Sequence, residues 1–384
     1  MSDQGVKSVY KKHDSFATFI SNKSNKILQE QTLRVIPILK SAQNTDPAQR
    51  KTLRLALNEL LNHASNDGDF TLTRMAAEEM AVLSDQDLPR YMYHRYRYQV
   101  FPKQQITDSY PPYVQIEPTS ICNFRCIFCY QTNRSFSDKE HGFMGSMTMD
   151  TFKMIVEQLQ GNVEFISISS RGEPLINKNI DQMLEYCVGR FLSLKLNTNA
   201  SMLTEKIAHA ILAGGVGTCV FSVDAANEEM FSRLRVNGNL QRVLKNIEMF
   251  QDIRAKHYPD SKIITRVSGV YVDDRQDIGS MQQFWGALVD QITFVSYNPW
   301  ENIYAREANG LEAQCSDLWR RMFVWHDGKV NPCDCDYKSN LSVGSIQNSS
   351  IADLWQSEAY NRLRKAHSTR NRQNMDPCLR CSFT

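Results

Sequence analysis

The stretch YVQIEPTSICNFRCIFCYQ, residues 113–131, decides how the chain is read. Its first five residues are strand-like, and Pro118 then ends any regular run. Three cysteines follow at C-x3-C-x2-C spacing: Cys122, Cys126 and Cys129. A closed zinc site needs four ligands and a disulfide needs two. Three soft thiolates on one short loop suit an iron-sulfur cluster that keeps one iron open. A structural zinc site with a remote fourth ligand is the alternative.

Five more strand-like runs lie downstream: EFISIS (164–169), LKLNT (194–198), CVFSV (219–223), IITRVSGVYV (263–272) and ITFVSY (292–297). Helical patterns such as MDTFKMIVEQL and LQRVLKNIEMFQDIRAK separate them. Six β-α repeats predict a parallel sheet curved by crossovers of one hand. Six strands fall short of eight, so the expected fold class is α/β, a partial (β/α)6 TIM-type barrel over residues 106–305. In such folds the working face is where strands end. The cysteine loop follows the first strand, SRGEP (170–174) the second, NTNA (197–200) the third and SVDA (222–225) the fourth. Four special motifs therefore converge on one rim.

Residues 1–105 read as a helical N-terminal extension, with Asp46 and Pro47 as N-cap and first-turn residue of PAQRKTLRLALNELLNHA. The aromatic-basic run RYMYHRYRYQVF (90–101) reads as a helix packed on the next domain in preference to a contact for a phosphorylated or nucleic-acid partner. Residues 306–384 form a small cysteine-rich C-terminal segment. With 44 basic and 42 acidic side chains the net charge is +2, which gives no field for nucleic acid or membrane partners. The most apolar stretch, IAHAILAGGVGTCVFSV (207–223), is broken by three glycines and reads as helix, turn and strand. No secretory leader is visible, so the expectation is a cytoplasmic protein whose ten cysteines serve clusters or metals.

The cysteine loop resembles the signature of the radical S-adenosylmethionine (radical SAM) superfamily, C-x3-C-x-Φ-C, with Phe128 as the aromatic residue near the adenine. VQIEPTSICNFRC and GSMTMDTFKMIVEQL extend the likeness. The resemblance implies a [4Fe-4S] cluster on Cys122, Cys126 and Cys129 whose open iron chelates SAM. One electron, from a donor such as flavodoxin or ferredoxin, then gives a 5′-deoxyadenosyl radical that abstracts a substrate hydrogen. RGEP resembles the family's G-G-E-P element: Gly172 would permit close backbone approach and Glu173 would accept from SAM's ammonium, while Arg171 stands where the family has its first glycine. Ser222 and Arg235, in SVDAANEEMFSRLR, resemble the residues that contact SAM's ribose and carboxylate, and Asn199 resembles part of a T-N-G element.

The tail resembles the auxiliary-cluster domains called SPASM and, shortened, twitch, through DGKVNPC, VGSI…IADLW and a closing C-x2-C. Cys315, Cys333, Cys378 and Cys381 match the twitch spacing and imply one closed auxiliary [4Fe-4S] cluster, with Cys335 as spare or in exchange with Cys333. A four-cysteine zinc knuckle is the alternative. Cys187 and Cys219 read as ordinary buried thiols, and His326 as structural. Arg266, Tyr297 and Asn298 are candidates to face a substrate cavity. The expected activity is dehydrogenation or epimerisation of a sugar- or cyclitol-type small molecule. A peptide or protein maturase, and a non-enzymatic iron-sulfur redox protein, are the alternatives.

Overall fold

The computed structural model describes residues 16–42, 46–62 and 70–384. Its strands in chain order are β1 (Phe16–Ser21), β2 (Tyr113–Ile116), β3 (Arg125–Cys126), β4 (Phe165–Ile168), β5 (Ser193–Thr198), β6 (Val216–Ser222), β7 (Arg235–Val236), β8 (Ile264–Tyr271), β9 (Gln291–Ser296), β10 (Arg321–Val324), β11 (Lys329–Asn331) and β12 (Gly344–Ser345). Ten of them form one sheet in the order β1-β9-β8-β6-β5-β4-β2-β10-β11-β12, while β3 pairs with β7. β2, β4, β5, β6, β8 and β9 run parallel and correspond to the six strand-like runs of the sequence. The sheet has two ends and is an open, partial barrel.

Strand parity explains why the barrel has two differently composed faces. In β5, Leu194 and Leu196 are buried against the surrounding helices, whereas Lys195 and Asn197 point the other way and are only half-buried. The crossover helices are started by side-chain caps. Thr148 accepts from the Thr151 amide ahead of the helix Met149–Leu159, and Thr204 and Asn239 do the same for Glu205–Ala213 and Leu240–His257. Phe152, Ile155, Val156 and Leu159 recur at helical spacing and are all buried on the sheet.

The N-terminal region holds α1 (Ile27–Ser41), α2 (Pro47–Leu61), α3 (Arg74–Ala81) and α4 (Leu88–Gln104). Asp46 caps α2 as expected, accepting from the Ala48 and Gln49 amides. The expectation of a helical extension omits one element. β1 leaves this region and pairs antiparallel with β9, Ile20 opposite Ile292, covering what would otherwise be a bare sheet edge. The first 15 residues lie outside the described residues. The aromatic-basic run is α4 and is packed on the barrel: His94 stacks on Phe165 of β4 with centroids 3.8 Å apart, and its Nδ1 lies 3.0 Å from the Pro112 carbonyl.

The tail also departs from a purely appended lobe. β10 pairs parallel with β2, Met322 opposite Val114 and Val324 opposite Ile116, and β11 and β12 continue the sheet antiparallel. Pairing over more than 200 residues has no local signature, so the sequence pattern does not announce it.

Candidate active site

The cysteine loop leaves the rim end of β2 and is fastened on three sides. Thr119 donates to the Gly145 carbonyl at 2.7 Å, and Ser120 exchanges backbone and side-chain hydrogen bonds with the same glycine. Gln131 donates to the Ser120 carbonyl (2.7 Å) and the Arg171 carbonyl (2.6 Å), tying this loop to the turn after β4. β3 holds Cys126 opposite Arg235 of β7. All ten cysteines are free thiols. Burial pushes the Cys122 thiol up to about 12, with Glu173 adding to the effect; Cys126 and Cys129 are raised by burial too, Cys122 feels the charge of Cys126, and Cys129 feels that of both.

Among the described residues, no group of three or more His, Cys, Asp or Glu side chains is arranged to hold a single metal ion. A cluster asks for a different arrangement, one thiolate per iron at separate corners, without convergence on one point. Three soft donors, Cys126 buried and Cys122 and Cys129 half-buried, with a cationic neighbour fit that requirement.

The turn after β4 packs directly on this loop. A Cβ on Gly172 would lie 2.4 Å from the Ile121 carbonyl oxygen and 2.5 Å from that of Thr119, so only glycine allows this approach. Gly172→Ala is therefore expected to push the cysteine loop off its seat and lower the melting temperature by several degrees. A thermal melt of the two proteins reads the shift. Glu173 is buried; its carboxylate accepts from Thr198 Oγ1 at 2.6 Å, the Asn199 amide at 2.7 Å and the Leu175 amide at 3.2 Å. Burial outweighs these bonds and pushes its carboxyl up to about 7. Asn199 donates from Nδ2 to Asn123 Oδ1 on the cysteine loop at 3.0 Å. The residue after it, Ala200, adopts φ +59°, the conformation a T-N-G glycine takes without strain.

Ser222 ends β6 opposite Ser268. Arg235 is buried, ion-paired to Asp224 at 2.5 Å, 3.8 Å from Cys126 Sγ, and 5.7 Å from the Phe128 ring centroid. The structure thus brings Cys122, Cys126, Cys129, Phe128, Gly172, Glu173, Asn199, Ser222 and Arg235 to one rim.

Arg171 takes a part the sequence did not suggest. It forms a buried bidentate pair with Glu117 (2.6 and 2.7 Å), donates to the Tyr337 carbonyl at 2.8 Å and lies 4.3 Å from the Trp325 ring centroid. Glu117 also accepts from the backbone amide of His326 and lies 3.0 Å from its Nδ1. The Arg171 side chain is a strut between the turn after β4 and the tail, and His326 packs on the same carboxylate. Glu117 was within the quoted strand; its inward parity is the signal that could have found it.

In the tail, Cys315, Cys333, Cys335, Cys378 and Cys381 line one apolar cavity. Burial raises Cys315 to about 12 and holds Cys378 well above the usual thiol range; Cys381 and Cys333 oppose ionisation of both. Cys335 is buried beside Tyr337, with its Sγ 3.9 Å from Asp334 Oδ1. Cys187 and Cys219 are buried in the apolar core of the barrel. Arg266 faces the barrel interior below the rim, its Nε donating to Gln291 Oε1 at 2.8 Å. Tyr297 donates to Glu301 at 2.6 Å, and Asn298 exchanges hydrogen bonds with Ser382, next to Cys381. Both sit where barrel and tail meet.

Residues 116–280 match the radical SAM superfamily model, and residues 315–382 match the model of an iron-sulfur cluster-binding domain, SPASM. A GTP 3′,8-cyclase of Saccharophagus degradans is 32% identical over 139 residues, 35% of this chain and 40% of the relative. The chain spans 40 to 51% of the length of the first curated relatives it matches. Among solved structures, SuiB of Streptococcus suis bound to precursor peptide SuiA superposes with TM-score 0.53 at 15% identity, over 87% of this chain and 83% of SuiB. BtrN in complex with AdoMet and 2-DOIA superposes with TM-score 0.50 at 17% identity, over 72% of this chain and 94% of BtrN. These two likenesses are likenesses of fold.

Proposed function

The chain belongs to the radical SAM superfamily and carries a SPASM iron-sulfur domain, and from that premise we propose that it oxidises or epimerises a hydroxyl-bearing small molecule by hydrogen abstraction. Cys122, Cys126 and Cys129 would hold the SAM-binding [4Fe-4S] cluster, and Cys315, Cys333, Cys378 and Cys381 an auxiliary one. When bound, the first supplies the electron that converts SAM to methionine and a 5′-deoxyadenosyl radical, and the second accepts or passes an electron. The chain's own residues do the rest. Glu173 offers its carboxylate to SAM's ammonium, Gly172 lets the backbone come close, Phe128 stands beside the adenine, and Arg235 meets SAM's carboxylate. Ser222 and Asn199 add polar contacts at the strand ends, and Tyr297 and Asn298 flank the substrate where barrel and tail meet.

The observation that carries the small-molecule reading is the inward face of the barrel. In an ordinary TIM barrel this face is packed with Val, Ile and Leu. Here the inward positions include Gln115 opposite Ser167, Ser268 opposite Thr293, and Ser169 and Asn197, alongside Val220 and Ile264. Several are only half-buried despite lying on central strands. Such a lining suits a polar molecule lodged inside the barrel better than an extended peptide.

The test is anaerobic turnover of cluster-reconstituted protein with SAM, dithionite and low-molecular-mass polyol and sugar pools in parallel with peptide pools. Deoxyadenosine formation stimulated by the polyol and sugar pools is expected. SAM left intact by fully iron-loaded protein would refute the radical reading, and stimulation by peptides alone would refute the small-molecule one. Because Glu173 must be ionised to accept from an ammonium and its carboxyl sits at about 7, SAM affinity should fall as the pH drops through about 7. Glu173→Gln should bind more weakly and flatten that dependence, read by equilibrium dialysis between about pH 6 and pH 8.

A further inference from the structure

The barrel interior mixes polar side chains with Phe165, Val220 and Ile264, and it holds two inward cations, Lys195 and Arg266. Register places Lys195 of β5 beside Ser167 of β4 and Thr218 of β6, and Arg266 of β8 beside Val220 and Gln291. Both point inward, because their neighbours Leu194, Leu196 and Val267 are buried on the helix side. Lys195 is half-buried and, among the described residues, its ammonium makes no hydrogen bond or ion pair. That is costly for a lysine in the middle of a sheet.

The surrounding charges do not satisfy it. Burial, then Arg266 and Arg321, lower the Lys195 ammonium to about 7, and Glu79 offsets them only in part. The carboxylates that α3 brings beneath the barrel serve other groups: both Glu79 and Glu78 act by charge on Arg266. Glu79 accepts from Tyr91 at 2.8 Å; Glu78 accepts from Gln291 at 2.6 Å and from Arg74 at 3.3 Å. Above this layer, Asn197 keeps a buried Oδ1 without a hydrogen-bond partner, and Ser167 and Ser169 share a bond at 3.0 Å. The arrangement is a hydroxyl- and amide-lined well with two cations at its base.

We propose that the substrate carries an oxyanion, a phosphate or a carboxylate, which seats against Lys195 and Arg266 while its hydroxyl-bearing carbons stand toward the rim. This deepens the small-molecule reading and rests on it. The anion would stabilise the protonated lysine, and seating one end of the molecule would fix which carbon reaches the rim.

The test uses the reconstituted full chain, with inorganic phosphate and acetate as separate probes in calorimetric titrations near neutral pH. Phosphate, acetate or both should bind the wild type and lose at least tenfold in affinity in Lys195→Met. Lys195→Arg, which keeps the charge, should stay within a few-fold of wild type. Which anion binds tells the two oxyanion classes apart. Absence of binding by both, or binding unchanged in Lys195→Met, would overturn the proposal; the latter would send the anion to surface cations such as Arg50, Lys51 and Arg54. SAM cleavage by the wild type is scored separately. Cleavage without anion binding sinks this inference alone, and anion binding without cleavage sinks the radical reading alone.

Discussion

The Cys122/Cys126/Cys129→Ala variant, reconstituted anaerobically, will retain about four irons where the wild type holds about eight, and will form no deoxyadenosine above background. The loss should exceed about a thousandfold, because without these thiols nothing on the rim can bring an electron to SAM. The structure makes the result interpretable. All three thiols are held above their usual range by desolvation, so alanine removes donors without stranding a charge. The tail cysteines line a cavity of their own and should keep their iron. Iron and sulfide counts, with deoxyadenosine measured by chromatography, check the outcome. A variant that still carries about eight irons, or still cleaves SAM, would contradict it, and zinc in the tail would assign that lobe to a structural ion.

The second large effect concerns the strut. Arg171→Met should destabilise the protein by about 3–5 kcal/mol, because it leaves the Glu117 carboxylate buried and stripped of its bidentate partner. Adding Glu117→Gln should recover much of that loss, which a chemical-denaturation cycle over the four proteins would measure. Acid should act on the same pair. Burial pushes the Glu117 carboxyl up, but the charge and hydrogen bonds of Arg171, with the bond to His326, outweigh it and hold the carboxyl at about 2. A folded-state pKa below the unfolded value contributes stability that is present above about pH 4.5 and lost as the pH falls through about 2, roughly 3 kcal/mol in all. The acid-unfolding curve of Arg171→Met should lack that component. Equal stability of wild type and Arg171→Met would refute the strut.

What the sequence made legible was local. The six strands announced themselves by alternation and punctuation, the caps by residue type, and the two cysteine sets by spacing. All of these act within a few residues, where side-chain parity and helix-end chemistry dominate. Arg171 was visible as a departure from the glycine pattern, but its partner Glu117 is 54 residues away and its acceptor on Tyr337 is 166 residues away. No periodicity encodes such a pairing. β1 and β10 escaped for the same reason: which strand covers an edge is settled by what the rest of the sheet leaves open. Lys195 looked like any charged strand residue until register turned it inward.

The pairing of β10 with β2 also bears on how the chain can be divided. A polypeptide ending before Arg321 would keep all six parallel strands yet present β2 as a naked edge, four residues of unpaired amides and carbonyls beside the cysteine loop. Such an edge is a template for association with another chain. At the far end, β1 closes the sheet in the same way with residues from the opposite terminal region. The barrel is therefore clasped from both sides by segments that look peripheral in the sequence, and trimming either to obtain a minimal core would leave an edge that invites association.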